Sequence, residues 1–379
     1  MTANLVRRLD ALVRPSFRLA GSWWPFYGLF VCSGIAAGVV FALVLTLASG
    51  VPIRAVAAAL GAGLLAAGAL ALATEVLAGR EIYTFYHYQI AALAAGAGAL
   101  ALLDLPVLPC LDVIGTALGL VQACGRLGCF MAGCCHGRPC RWGVRYGTEH
   151  AEQGFASELV GVRLFPIQAV ESLCLFALAA GGAALIVSGR PAGTALATYL
   201  AGYGAIRFGL EFARGDAARP YALGFSEAQW TAGIVLSATL AGEIAGWLPF
   251  VLWHAAAAAP VGLAAAGAAL RRRFRPAHRL FHPRHVSEIA KALGGLTAWP
   301  SPPGHAPRVA CTSLGLRLSA GSLHHGRTHY ALSAREAAMT EATARSLAAL
   351  ILRLRHPAAP SRLLPGGQGV FHLLVETRS

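Results

Sequence analysis

Apolar positions along this chain are grouped into long blocks instead of alternating with polar ones. The blocks fall near 26–48, 53–78, 88–108, 111–132, 166–188, 193–212 and 227–246, with an eighth at 247–270. A helix needs about 20 consecutive apolar residues to cross a bilayer. The pattern therefore predicts an all-α polytopic membrane protein with seven or eight transmembrane helices. After Arg271, Arg272, Arg273 and Arg275 the pattern changes, and residues 276–379 are rich in Pro, Ser, His and Arg with no spanning stretch. There Ser333 and Glu336 read as a capping box before an alanine-rich helix reaching about His356, and 369–377 reads as a strand. The expected organisation is a basic segment over 1–20, a transmembrane domain over 21–272 and a water-exposed α+β appendage over 273–379.

Composition sharpens this reading. Hydrophobic residues make up 56% of the 379 and charged residues 13%, against about 25% charged in soluble domains, which excludes an ordinary soluble enzyme. Lys and Arg number 31 against 17 Asp and Glu, a net charge of +14, and Lys291 is the sole lysine. Arginine, alanine and glycine are all abundant, as GC-rich coding would give, so no nucleic acid partner is expected, and the charge suits anionic headgroups. Arg7, Arg8, Arg14 and Arg18 precede the first block, which is long and has no small-residue cleavage site after it, so it reads as a retained anchor. Positive charge at 7–18 and at 271–275 argues for a cytoplasmic location of both flanks. Both hold only for an even number of spans, which the sequence leaves open.

Polar side chains within or beside spans are costly and therefore informative. They are Tyr27, Glu75, Arg80, His87, Arg126, Arg207 and Glu211. Counting crossings places all of these positions on one side of the membrane. Arginine there suits a phosphate-bearing lipid, because its planar fork donates to phosphate bidentately. The competing reading is that Arg207 and Glu211, four residues apart, neutralise each other within one helix. The segment GRLGCFMAGCCHGRPCRWG, residues 125–143, has five glycines, and predicts a helix broken into a loop that presents Arg126 to a cavity.

These residues resemble a known family, the phosphatidylglycerol:prolipoprotein diacylglyceryl transferases. Gly125, Arg126, Leu127, Gly128, Cys129, Phe130, Gly133 and Gly137 are similar to its Gly-Arg-[Ile/Leu]-Gly-Asn-Phe-x-Asn-Gly run and closing glycine, and Asp112 stands where an upstream Asp is frequent. Pro166, Gln168 and Glu171 resemble its Pro-Ser-Gln-Leu-Tyr-Glu element. Tyr203 to Arg207, Glu211, Phe212, Arg214 and Asp216 resemble its Tyr-Gly-x-x-Arg-x-x-x-Glu-Phe-x-Arg run, and Phe26 to Leu29 its Trp-Tyr-Gly-Leu entry. The resemblance spans 23–230 and leaves 276–379 outside.

The resemblance implies transfer of a diacylglyceryl group from phosphatidylglycerol to the lipobox cysteine of a prolipoprotein, releasing glycerol phosphate, without a cofactor, by a multi-pass protein of the bacterial inner (plasma) membrane. It also implies that Arg126 and Arg207 hold the phosphate, Glu211 orients Arg207 and Tyr27 helps bind the headgroup. Gly125, Gly128, Cys129, Gly133, Gly137, Gln168, Glu171 and Tyr203 would complete the binding site. The chain departs from the family before the third block, where Tyr86 takes the family's His position, His87 follows it and paired glycines are missing. The acceptor of the thiol proton is thus left between Tyr86 and His87. The alternatives are a weakened relative that binds anionic lipid without transferring it, or a transferase acting on a different acceptor.

Cys129, Cys134, Cys135 and Cys140 lie close together, with His136 among them and His150 nearby. Their C-x4-C-C-H-x3-C spacing lacks C-x-x-C pairs, so no metal is expected. In an oxidising compartment a Cys134–Cys140 or Cys135–Cys140 disulfide would brace the loop, while a redox or metal protein is a third reading. Cys32 and Cys174 read as packing residues. His278, His282, His285, His305, His324, His325, His329, His356 and His372 lie in the appendage, which reads as a solvated docking or regulatory module.

Overall fold

The computed structural model describes residues 9–79, 85–217, 219–274, 280–298, 307–323, 327–357 and 359–376. Among the described residues a hairpin, β1 (Ser16–Leu19) and β2 (Ser22–Pro25), leads into eight apolar helices. These are α1 (Phe26–Ser49), α2 (Ile53–Ala78), α3 (Phe85–Leu102), α4 (Val107–Ala132), α5 (Ile167–Val187), α6 (Thr194–Glu211), α7 (Glu227–Ile244) and α8 (Leu252–Phe274). Their positions follow the apolar blocks closely. Among the described residues four are long and apolar enough to cross a membrane: α1, α2 through Leu77, α4 and α5. The expected seven or eight is not reached, for physical reasons. Helices α3, α6 and α7 are long enough at 18 residues each, but polar side chains such as His87 and Gln89, Arg207 and Glu211, and Glu227 and Gln229 lower their mean hydropathy, and α8 is apolar only over Leu252–Gly267.

Helices α1 and α2 expose Ile35, Val40, Leu47, Leu64, Leu72 and Leu77. Apolar residues all round a helix suit a hydrocarbon solvent. Trp23 and Trp24, 70% and 54% exposed, stand at the foot of α1, where aromatic residues anchor a span at the membrane interface. Small residues bring helices together, as is usual in membranes. A Cβ on Gly34 would lie 2.5 Å from Cys124 Cβ, and one on Gly38 2.3 Å from Val121 Cγ2, so α1 and α4 approach almost backbone to backbone.

Between α4 and α5 the chain forms a cap containing β3 (Pro139–Arg145) and β4 (Arg163–Leu164). Strands β5 (Tyr221–Ala222) and β6 (Phe225–Ser226) make a small hairpin before α7. Ser226 then caps α7 reciprocally with Gln229. Helix α6 starts under Asp112, whose carboxylate accepts the Gly193 and Leu196 amides at 2.6 and 2.7 Å. That aspartate therefore serves a helix N-terminus.

The C-terminal region is α+β, as expected. Strands β7 (Ala310–Cys311), β8 (Leu316–Leu323), β9 (Arg327–Ala334), β10 (Ser361–Pro365) and β11 (Phe371–Glu376) form an antiparallel sheet in the order β10-β11-β9-β8-β7, with helices α9 (Pro283–Ala298) and α10 (Glu341–Arg355). Ser333 is not a helix cap: β9 continues through Ala334 because Tyr330 and Leu332 are core residues in ladder register with β8. The helix starts instead after Thr340, whose hydroxyl accepts the Thr343 amide at 3.3 Å.

The appendage packs against the first domain. Phe130, Tyr146, Phe155 and Leu159 of the first domain share one apolar core with Ile289, Leu293, Leu347 and Ile351. Ser287 donates to Glu158 at 2.5 Å, and Arg284 donates to the Ala217 and Arg219 carbonyls. The described histidines are engaged within the protein: His285 with Thr312, His329 with His372 and His356 with Tyr330, while the His282 ring meets Tyr221. His278, His305, His324 and His325, and also Arg7, Arg8, Arg80 and Arg275, lie outside the described residues.

Candidate active site

Glu171, fully buried on α5, is the centre of a charge cluster. Arg126 Nε stands 3.0 Å from its Oε2, Arg207 Nη1 3.6 Å from Oε1 and Arg214 Nη1 3.9 Å from Oε2. Glu211 receives Arg207 Nη2 and Arg219 Nη1, each at 3.1 Å, and Asp216 receives Arg214 at 2.8 Å and Arg219 at 3.0 Å. Arg207 and Glu211 do pair within one helix, but Arg207 also reaches across to α5. Four guanidiniums thus meet three carboxylates and leave one positive charge in a buried place. Burial alone would lower the pKa of Arg214, which lies just beyond α6, yet Cys135 and Asp216 hold it above its ordinary value.

Arg126 is not on a loop. Helix α4 continues to Ala132 and stops at Gly133, whose φ of 77° only glycine adopts freely. The reason is that glycines here allow close packing within a helix: Gly128 faces the Tyr27 carbonyl, to which a Cβ would come within 3.1 Å, while Gly125 has open space beside it. The chain then folds back toward α6. Gly137 and Arg214 form a β-bridge, the Arg138 amide donates to the Ala213 carbonyl and the Gly215 amide to the His136 carbonyl. A Cβ on Gly137 would stand 2.4 Å from the Phe165 carbonyl. Gln168 holds the same loop, donating to the Cys134 carbonyl at 2.8 Å.

A buried hydrogen-bonded chain reaches Glu171 from the other side. Gln89 donates to Tyr199 at 3.1 Å, Tyr199 to Gln122 Oε1 at 3.0 Å, Gln122 Nε2 to Tyr203 at 2.5 Å and Tyr203 to Glu171 at 2.9 Å. Tyr86 is buried and stacks edge-on against Tyr203 at 5.2 Å. His87, the next residue on the helix, is rotated toward α7, where Nε2 lies 3.3 Å from both Glu227 and Thr231. Tyr27 is half exposed at the start of α1. Glu75 is exposed at the end of α2. The structure thus brings Arg126, Arg207, Glu171, Tyr203, Glu211 and Tyr86 together, while His87 contacts Glu227 and Thr231.

Sequence reading missed Arg214 and Arg219 as members of the cluster, and Gln89, Gln122 and Tyr199 as its support. The signal for Arg214 was its place three residues after Glu211. Gln122 had none beyond being polar in an apolar block.

The cysteines form no predicted disulfide. All nine are free, and Cys140 turns its thiol to the Trp142 carbonyl. Cys129, Cys134 and Cys135 instead bring their sulfurs within 4.8 Å of one another. The neighbouring thiols hydrogen-bond to Cys135, and together with Arg214 and Arg126 they hold it well below the ordinary thiol range against the opposing effect of burial. Cys32 is exposed on α1. A cavity of 390 Å³ opens beside this loop, lined by His136, Arg138 and Glu158 from the cap and by Ser287 and Arg353 from the appendage.

The family model for prolipoprotein diacylglyceryl transferase matches residues 17–245, more than half of the chain and all of the arginine cluster. The chain belongs to this family. It is 34% identical over 110 residues to the phosphatidylglycerol–prolipoprotein diacylglyceryl transferase of Clostridium tetani (strain Massachusetts / E88), covering 29% of this chain and 43% of that protein. It is 33% identical over 132 residues to phosphatidylglycerol–prolipoprotein diacylglyceryl transferase 2 of Clostridium perfringens (strain 13 / Type A), covering 33% of this chain and 49% of that protein. The chain thus matches these curated relatives over less than half of their length. The family's matched range ends before α8, and the α+β appendage lies wholly beyond it.

Proposed function

We propose that the protein transfers a diacylglyceryl group from phosphatidylglycerol to the thiol of a lipobox cysteine in a prolipoprotein, releasing glycerol phosphate, in the bacterial inner membrane. One observation carries this reading: three arginines from α4, α6 and the segment after α6 converge on one buried carboxylate. Such a cluster has more positive charge than it can neutralise, and an entering phosphate would complete it. Helices α3, α6, α7 and α8 are read as joining the four long spans in a bundle of seven or eight.

In this reading Arg126 and Arg207 grip the lipid phosphate, and Glu171 and Glu211 fix their forks. The thiol sulfur attacks the glyceryl carbon that bears the phosphate ester, and the C–O bond breaks with its electron pair going to the phosphate oxygen. Fixed guanidiniums stabilise that departing charge most effectively where water is scarce. Tyr27 borders the headgroup, Gly128 and Gly137 allow the close backbone approach that shapes the site, and Gln168 holds the loop. Tyr203, with Tyr86 against its ring, orients Glu171.

The test is an in vitro assay with phosphatidylglycerol vesicles and a lipobox peptide. Thioether-linked diacylglycerol from wild type, and none from Arg207→Ala, is the expected result. Lipid bound without product in wild type would overturn the transferase reading and leave an anionic-lipid-binding protein.

A further inference from the structure

We propose that Cys129, Cys134 and Cys135 form a zinc site that keeps one coordination position open for the acceptor's cysteine thiol. The inference rests on the transferase reading above and adds the group that activates the nucleophile. Sulfurs sharing a Zn²⁺ at about 2.3 Å in a tetrahedral site lie about 3.8 Å apart. The three sulfurs here are already within 4.8 Å of one another, so a small inward movement completes the site.

The backbone brings them together in a way the spacing conceals. Cys129 is on the last turn of α4, one turn after Arg126. Gly133 ends the helix with φ 77°, and Cys135 has φ 57°, a left-handed conformation that non-glycine residues rarely adopt. These two residues fold the Cys134–Cys135 pair back over Cys129. The loop is then fixed from outside by Gln168 on the Cys134 carbonyl, the kind of support that holds metal ligands in place.

The ligand set has three members and an open side. His136, the nearest histidine in sequence, has Nδ1 3.0 Å from the Gly137 carbonyl and its ring edge-on to Phe155, and it lies outside the sulfur cluster. Cys129 is buried and Cys135 partly so, while Cys134 is exposed. Structural zinc sites have four protein ligands, whereas sites that act on a substrate have three and keep one position open.

The chemistry fits the step that activates the nucleophile. A thiol that coordinates zinc gives up its proton outright. At this site the acceptor's S–H bond would break, its proton would leave to water at the exposed Cys134 side, and a sulfur–zinc bond would form. The sulfur pair then makes the S–C bond to the glyceryl carbon, while the C–O pair leaves on glycerol phosphate. The thioether product, a weaker ligand, dissociates.

Full-length protein purified under reducing conditions is loaded with Co²⁺ and titrated with a lipobox peptide and with its Cys→Ser counterpart. The expected results are about one ion per chain and a thiolate-to-cobalt charge-transfer band. That band should change with the cysteine peptide only and should be lost in Cys134→Ser, a substitution at an exposed position. No bound ion, or a band indifferent to the cysteine peptide, overturns the proposal. Transfer at an undiminished rate by protein verified to be metal-free also overturns it while leaving the transferase reading intact. Absence of transfer by zinc-loaded protein that still shows the cobalt response would instead overturn the transferase reading alone.

Discussion

Glu171 has one negative charge and faces three guanidiniums. Unit charges 4 Å apart interact by about 4 kcal/mol at the effective dielectric typical of proteins, so the crowded arginines depend on Glu211 and Asp216 joining Glu171 as counter-charges. Removing one member therefore acts on chemistry and fold differently. Arg126→Ala and Arg207→Ala should lower transfer by at least about 10²–10³-fold, the cost of losing one fixed donor to a developing charge, in protein that still inserts. Lysine at either position should restore little, because it cannot fork. Rates from vesicle assays with matched protein levels would check both. Tyr203→Phe removes a hydrogen bond to a charged group, worth about 1.5–3 kcal/mol, and should slow transfer by about 10–100-fold while lipid binding persists. Arg126, Arg207 and Glu211 were legible in the sequence because charge inside an apolar block is conspicuous. Arg214 lies in a polar segment where arginine is ordinary, so only the fold shows that it is buried beside Glu171.

At the scale of helices, the apolar blocks located α1, α2 and α5 to within a residue or two and α3 and α8 more loosely, because a bilayer demands long uninterrupted runs. What the blocks could not show was which glycines bend the chain and which let two chains touch. Gly125 and Gly128 suggested a loop, yet α4 runs through both of them, and Gly133 is where the helix ends. The same ambiguity hides the seam between α1 and α4. A leucine at Gly38 would collide with Val121, since even a Cβ comes within 2.3 Å. Gly38→Leu should push α1 from α4, carry Tyr27 away from Arg126 and abolish transfer. A disulfide cross-link engineered between the two helices, formed in the parent and absent from Gly38→Leu, would read the separation. Gly61, with open space around its Cβ position, serves as the control, and Gly61→Leu should leave both cross-link and activity unchanged. The appendage shows the converse error. Ser333 and Glu336 match a capping box locally, but pairing of β9 with β8 outweighs local preference.

At the scale of the whole molecule, the cap over the arginine cluster and the appendage share one core, so the appendage supports the roof of the site. Leu293 is fully buried in that core, and Leu293→Ala should cost about 2–5 kcal/mol, read as a lower melting temperature in detergent together with reduced transfer. The docking also depends on a titrating contact. Burial pushes the Glu158 carboxyl up, but the Ser287 hydroxyl and Lys291 outweigh it and hold the group below its ordinary value. A carboxylate with a depressed pKa in the folded state contributes its full stabilisation above the unfolded value, about 4.3. It loses that contribution as pH falls through the lower folded value. Docking should therefore be indifferent to pH near neutrality and loosen only in acid. Pepsin cleavage of α9, compared at about pH 5 and about pH 3, should accelerate at the lower pH more in wild type than in Glu158→Gln, which has no charge there to lose. Equal acceleration in the two proteins would place the acid-sensitive contact elsewhere.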